Sequence, residues 1–292
     1  MRDYLNLVTF SHTIFALPFA IVGYTLGVLA PDGTFAWTDL GLVVACMITA
    51  RSAAMGFNRL VDADYDAVNE RTATRDIPAG RVSKTQAAGF VTANAALFVL
   101  CSALLNGLCG WLSPVALAVV LGYSYTKRFT WLCHLVLGIG LALAPVGAFL
   151  AVTGRFGVES VLFGAVVLSW VAGFDVVYAL QDEAFDRAEG LKSVPTRFGE
   201  SRTFSLARGL HLLSFALLAF TSYRLTGLYP HASGWIVLAC LLFGVALLYQ
   251  HRLVRPGQLA RIDRAFFTTN GFASVAYALV LVCGLWLSGL TH

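Results

Sequence analysis

Two stretches of the sequence set carboxylates at helical spacing at the ends of apolar runs. The first is Asn58-Arg59-Leu60-Val61-Asp62-Ala63-Asp64-Tyr65-Asp66. On a continuing helix Asn58, Asp62 and Asp66 stand at i, i+4 and i+8 and share one face, while Asp64 points away. Arg51, seven residues before Asn58, falls on that same face. The second is Asp175-Val-Val-Tyr178-Ala-Leu-Gln181-Asp182-Glu183-Ala-Phe185-Asp186. Offsets of 7 and 11 return to within about 20° of the start at 3.6 residues per turn. Asp175, Asp182 and Asp186 therefore form a second stripe, with Tyr178 beside it. Asp175 lies inside an apolar run, where the cost of a carboxylate in lipid marks a functional candidate.

Carboxylates stacked in this way repel one another, so something positive belongs between them. Hard oxygen ligands favour Mg²⁺, which takes one or two carboxylates and completes its shell with substrate phosphates. Two stripes facing each other can hold two or three Mg²⁺ around a pyrophosphate. The plainer reading is solvated acids at helix ends, and it suits Asp64, Glu70 and Glu183. The bases fit the phosphate reading. Arg71-Thr-Ala-Thr-Arg75-Asp-Ile-Pro78-Ala-Gly80-Arg81 is a turn-rich loop, and Tyr123-Ser-Tyr-Thr-Lys127-Arg128-Phe-Thr130 brings two more bases to a short connection. Arg and Lys are suitable phosphate partners. Arg252, Arg255, Arg261 and Arg264 read as topology signals or contacts to anionic lipid. His12 and His134 have no second ligand at metal spacing and read as packed polar residues. The six cysteines form no CxxC pair and read as small buried residues.

The elements that position these residues must be membrane helices. Of the 292 residues, 58% are hydrophobic and 12% charged, against about 25% charged in soluble domains. Mean hydropathy is +0.74. That excludes a soluble enzyme, and a net charge of +4 gives no ground for nucleic-acid binding. Nine spans are expected, at 8–30, 36–57, 86–107, 111–126, 133–153, 159–180, 204–226, 232–250 and 265–289. The first reads as a retained helix rather than a cleaved signal. The fold class is all-α, one bundle of nine transmembrane helices, with the whole chain 1–292 as a single domain.

The connections alternate. The N-terminus, 58–85, 127–132, 181–203 and 251–264 are basic, and the others are nearly free of Lys and Arg. Positive-inside sorting puts the N-terminus in the cytoplasm and the C-terminus outside. Both long connections, after spans two and six, are then cytoplasmic loops that cap one site, and both carry the acids.

Taken together, these motifs make the sequence resemble the UbiA family of membrane prenyltransferases. The matching elements are Asn58-xxx-Asp62-xxx-Asp66 with Arg51 upstream, then Arg71-Thr-Ala-x-Arg75-xx-Pro78-x-Gly80. Tyr123-xxx-Lys127-Arg128-x-Thr130 comes next. Last are Asp175-xx-Tyr178-xxx-Asp182-xxx-Asp186 and Ser193-Val-Pro195-xx-Phe198-Gly199. Many members carry Asp directly after the Asn, where this chain has Arg59, which cannot ligate a metal. The stretch KRFTWLCHLVLG and the last acidic motif look like the bacterial branch of 4-hydroxybenzoate polyprenyltransferases.

The resemblance implies a multi-pass protein of the bacterial inner membrane. Its implied reaction moves a polyprenyl group from its diphosphate to a hydroxyaromatic carboxylate in quinone synthesis. The acceptor is 4-hydroxybenzoate or, for menaquinone, 1,4-dihydroxy-6-naphthoate. Asn58, Asp62, Asp66, Asp182 and Asp186 would hold Mg²⁺, and Arg51, Arg75 and Lys127 would bind the diphosphate. Asp175 or Tyr178 would orient or deprotonate the phenol, and Arg128 would hold the acceptor carboxylate. The rival from another class is an ion-coupled transporter, since intramembrane carboxylates also couple ions; acids gathered at one membrane face argue against it.

Overall fold

The computed structural model describes residues 16–259 and 261–289. The start of the first expected span, with Arg2 and His12, lies outside these residues, as do Thr291 and His292. The described residues are helical, apart from loops and an isolated β-bridge between Arg255 and Gln258.

The helices are α1 Leu17–Val28, α2 Trp37–Val61, the short α3 Ala63–Val68, α4 Lys84–Leu105, α5 Gly107–Phe129 and α6 Cys133–Thr153. They continue with α7 Val158–Tyr178, the short α8 Glu183–Ala188, α9 Val194–Leu228, α10 Ser233–Leu253 and α11 Asn270–Gly289. Every expected span has a helix at its position. Eight segments among the described residues are long and apolar enough to cross a membrane; α1, with 12 described residues, is a shorter apolar helix. The expected fourth span, 111–126, is lengthened at both ends to 107–129. The expected seventh, 204–226, begins ten residues earlier, at Val194.

Local chemistry sets these ends. Ser83 and Gln86 form a reciprocal capping box at the start of α4, and Ser193 and Thr196 do the same for α9. Asn106 accepts the Cys109 N–H at the start of α5, and its amide donates to the carbonyls of Leu150 and Ala151 near the end of α6. Gly154, in the left-handed region, ends α6. Gly199, at φ 75°, breaks α9 after its first turn.

Successive long helices pack side by side around a ring, and α11 returns to α1. The two halves of the ring differ. On the side of α1, α7, α9, α10 and α11 the interior is solid. Trp170 lies 5.6 Å from Phe19 and 5.5 Å from Phe243, ring centre to ring centre, and Tyr277 lies 5.8 Å from Phe243. Offset and edge contacts of this kind are favourable between aromatic rings. Small residues let the backbones meet, as is usual for helices in lipid. A Cβ on Gly23 would overlap the Pro145 carbonyl, and one on Gly138 would sit 2.6 Å from the Leu168 carbonyl oxygen. On the side of α2, α4, α5 and α6 the helices enclose a chamber instead.

Candidate active site

The two acidic segments meet at one end of the bundle. α2 ends at Val61, and Asp62 stands at the junction with α3. The turn spacing nevertheless survives, because the Asp62 amide bonds the Asn58 carbonyl and the Asp66 amide bonds the Asp62 carbonyl. Asn58, Asp62 and Asp66 consequently line one polar cavity of about 170 Å³. Asp182 and Asp186 line it from the facing side.

The second stripe is corrected by the structure. Residues Ala179–Asp182 form a 3₁₀ turn between α7 and α8. Its three residues per turn rotate α8 relative to α7. Asp182 and Asp186 reach the polar cavity, whereas Asp175 and Tyr178 line a larger apolar one.

Four carboxylates and three bases surround the polar cavity. Lys127 Nζ lies 3.0 Å from Asp62 Oδ2, and Arg75 lies 2.6 Å from Asp66. Arg71 grips Asp182 with two parallel bonds, at 2.8 and 2.5 Å. Burial works against the Arg71 charge, but the bonds and charge of Asp182 outweigh it and hold the guanidinium above its ordinary pKa. Asn58 Nδ2 donates to Asp62 at 3.1 Å. Arg71 and Arg75 are presented by the loop after α3, which is anchored from beneath by Ile77 and Val82 packed on Ala63 and Ala87.

Acid atoms are left over. Asp66 Oδ2 and Asp62 Oδ1 are buried without a hydrogen-bond partner, and the nearest base to the latter is Arg128 at 3.5 Å. Such oxygens are costly unless a cation or donor reaches them. Among the described residues no three His, Cys, Asp or Glu side chains are grouped closely enough to hold a metal by themselves. This oxygen-only set therefore fits an ion that draws the rest of its shell from phosphate and water, as Mg²⁺ does.

The apolar chamber measures about 720 Å³ and lies between α2, α4, α5 and α6. Asn58, Arg71 and Arg75 belong to the walls of both cavities, so the two adjoin. Toward the other end its wall includes Val115 and Phe156, which are exposed on the bundle surface.

The remaining expected residues divide. Arg51 lines the apolar chamber and not the polar one, about 10 Å along α2 from Asn58. Its Nε is buried without a hydrogen-bond partner. Arg59 lines the same chamber. Arg128 is placed elsewhere: it donates to the Val61 carbonyl at 2.9 Å and lies over the rings of Tyr65 and Tyr125. It lines neither cavity, so its expected grip on an acceptor is not available from this position. For two participants the partner across the bundle carries no signal in the sequence. Arg71 is one of three arginines in its loop, and its facing position, 111 residues from Asp182, is invisible to local spacing. His134, expected to be a packed polar residue, lies 2.7 Å from Asp175.

Comparison with known proteins bears on the family and the fold. The sequence model of the UbiA prenyltransferase family matches residues 16–272. A 4-hydroxybenzoate octaprenyltransferase of Idiomarina loihiensis is 34% identical, over 81% of both chains. One from Aliivibrio fischeri is 28% identical, over 89% of this chain and 88% of the other. Among solved structures, a UbiA homolog from Aeropyrum pernix K1 superposes with a TM-score of 0.80 at 31% identity, covering 94% of this chain and 97% of that one. A UbiA homolog from Archaeoglobus fulgidus bound to DMAPP and Mg²⁺ gives 0.73 at 19% identity, covering 98% and 99%.

Proposed function

The chain belongs to the UbiA prenyltransferase family, and on that premise we propose that it transfers a polyprenyl group from polyprenyl diphosphate to 4-hydroxybenzoate. The observation that carries this reading is that the two cavities adjoin and share wall residues. An acid–base chamber suited to a diphosphate shares Asn58, Arg71 and Arg75 with an apolar chamber suited to an isoprenoid tail. The names of the curated relatives support the acceptor, and the relative bound to DMAPP and Mg²⁺ supports the donor and the metal.

In this reading Asn58, Asp62, Asp66, Asp182 and Asp186 hold Mg²⁺. When bound, the ion neutralises diphosphate charge and favours its departure. Lys127, Arg75 and Arg71 add fixed positive charge where the leaving group develops more negative charge. The prenyl C–O bond breaks, and its electron pair leaves with the diphosphate. The carbon ortho to the phenol attacks the allylic cation, and the ring then loses a proton to Asp175. Tyr178 orients the acceptor hydroxyl. Arg51 holds the acceptor carboxylate in place of Arg128, because Arg51 lines the apolar chamber with a buried Nε still unfilled and Arg128 lines neither cavity. The whole chain acts as one unit in a bacterial inner membrane, with the acid–base end toward the cytoplasm.

The test supplies membranes containing the protein with a polyprenyl diphosphate, Mg²⁺ and one acceptor at a time, and detects lipid-soluble product by mass. Product with 4-hydroxybenzoate supports the reading. Product only with 1,4-dihydroxy-6-naphthoate moves the enzyme to menaquinone synthesis. No product with either acceptor contradicts the assignment.

A further inference from the structure

His134 is buried in the first turn of α6, and the proposed chemistry does not use it. Its two nitrogens face two different elements. Nδ1 lies 2.7 Å from Asp175 Oδ2 on α7. Nε2 lies 3.2 Å from the backbone nitrogen of Val194, the first residue of α9. That amide is among those at a helix start that find no partner within their own helix. A backbone N–H can only donate, so Nε2 must present its lone pair. The ring proton is then on Nδ1 and is donated to Asp175. An imidazolium would set a second hydrogen against the Val194 N–H. The ring therefore takes the Nδ1–H tautomer, set by the start of α9.

Asp175 in turn lines the apolar chamber beside Tyr178 and Tyr123. We infer that His134 is a positioning residue that holds Asp175 aimed into the chamber, ready to take the proton released when the ring is alkylated. Atoms and electrons balance. The ring C–H bond breaks after the new C–C bond has formed, its electrons restore the aromatic ring, and the proton ends on an Asp175 oxygen. A neutral donor serves this task better than a cationic one. It leaves the negative charge of Asp175 uncancelled where a carbocation develops. The inference rests on the proposed reading of Asp175 as proton acceptor.

The experiment compares wild type, His134→Ala, His134→Gln and Asp175→Asn in proteoliposomes, with kcat and the KM of the prenyl diphosphate measured separately. Gln can donate to Asp175 and accept from Val194, so it replaces both bonds. The expected result for His134→Ala is a fall in kcat of about tenfold or more, with donor KM within about twofold of wild type. His134→Gln should recover most of the loss. Should the alanine variant fail to fold, His134→Met, which fills the volume without donating, carries the same comparison. Wild-type kcat in His134→Ala, a change confined to donor KM, or no rescue by Gln overturns the inference while an inactive Asp175→Asn leaves the proton-acceptor reading standing. Near-normal turnover by Asp175→Asn removes that reading, and the role of His134 with it.

Discussion

Asp62, buried and gripped by Lys127 and Asn58, and Asp182, clasped by Arg71, are each matched to a base in the polar cavity. Replacing Arg71 by Ala is expected to raise donor KM by roughly 10- to 100-fold, the worth of a hydrogen bond to a charged group, while acceptor KM stays near wild type. Steady-state titration of each substrate in turn separates the two. Arg51→Ala should show the opposite pattern, with acceptor KM raised by a similar factor and donor KM unchanged. A donor effect in Arg51→Ala would return that residue to the diphosphate. The acids are legible in the sequence because helical spacing survives the break at Asp62. Arg71 and His134 are not, since each finds its partner across the bundle and no local pattern records it. Arg128 has the right residue type within a family motif, yet it bonds the Val61 carbonyl, lies over two aromatic faces and lines neither cavity.

At the level of elements, hydropathy locates every helix of the bundle because a lipid span must be continuously apolar. The ends are set by finer chemistry. The capping boxes at Ser83 and Ser193 and the cap at Asn106 carry helices past the apolar window, which is why α5 and α9 are longer than expected. The 3₁₀ turn at Ala179–Asp182 is not legible, and it turns α8, with Asp182 and Asp186, away from the line of Asp175 on α7. Two predictions belong here. Asn106→Ala removes a cap and two bonds to the end of α6, and is expected to cost about 1–2 kcal/mol. Thermal melting in detergent should record the loss with kcat nearly unchanged. Gly23→Ala forces α1 away from Pro145 and is expected to cost about 1–3 kcal/mol as an overpacked contact. An unchanged melting temperature for Gly23→Ala would mean that α1 and α6 are less tightly joined than the Gly23–Pro145 approach requires.

For the molecule as a whole, one half of the ring is filled by aromatic packing and the other is left hollow. Composition announces a membrane bundle, but it cannot announce the hollow, since chamber-lining and lipid-facing side chains are equally apolar. In the proposed reading the hollow half holds the prenyl tail. Ala116 lines it, and Ala116→Phe should depress turnover of long prenyl donors far more than of short ones. Competition between donors of different length, read by product mass, checks this, and an equal loss for all lengths would contradict it. The acid–base end and the hollow act together only if a divalent ion, the diphosphate and both acidic segments meet there. The most direct measurement is prenyl transfer by purified protein in proteoliposomes, with and without Mg²⁺, for wild type, Asp62→Ala and Asp182→Ala. The expected result is Mg²⁺-dependent product that EDTA abolishes, and a loss of at least about a thousandfold in either variant while the protein still inserts and folds. Turnover near wild type in either folded variant, or full activity in EDTA, would contradict a metal–diphosphate site built from the two acidic segments.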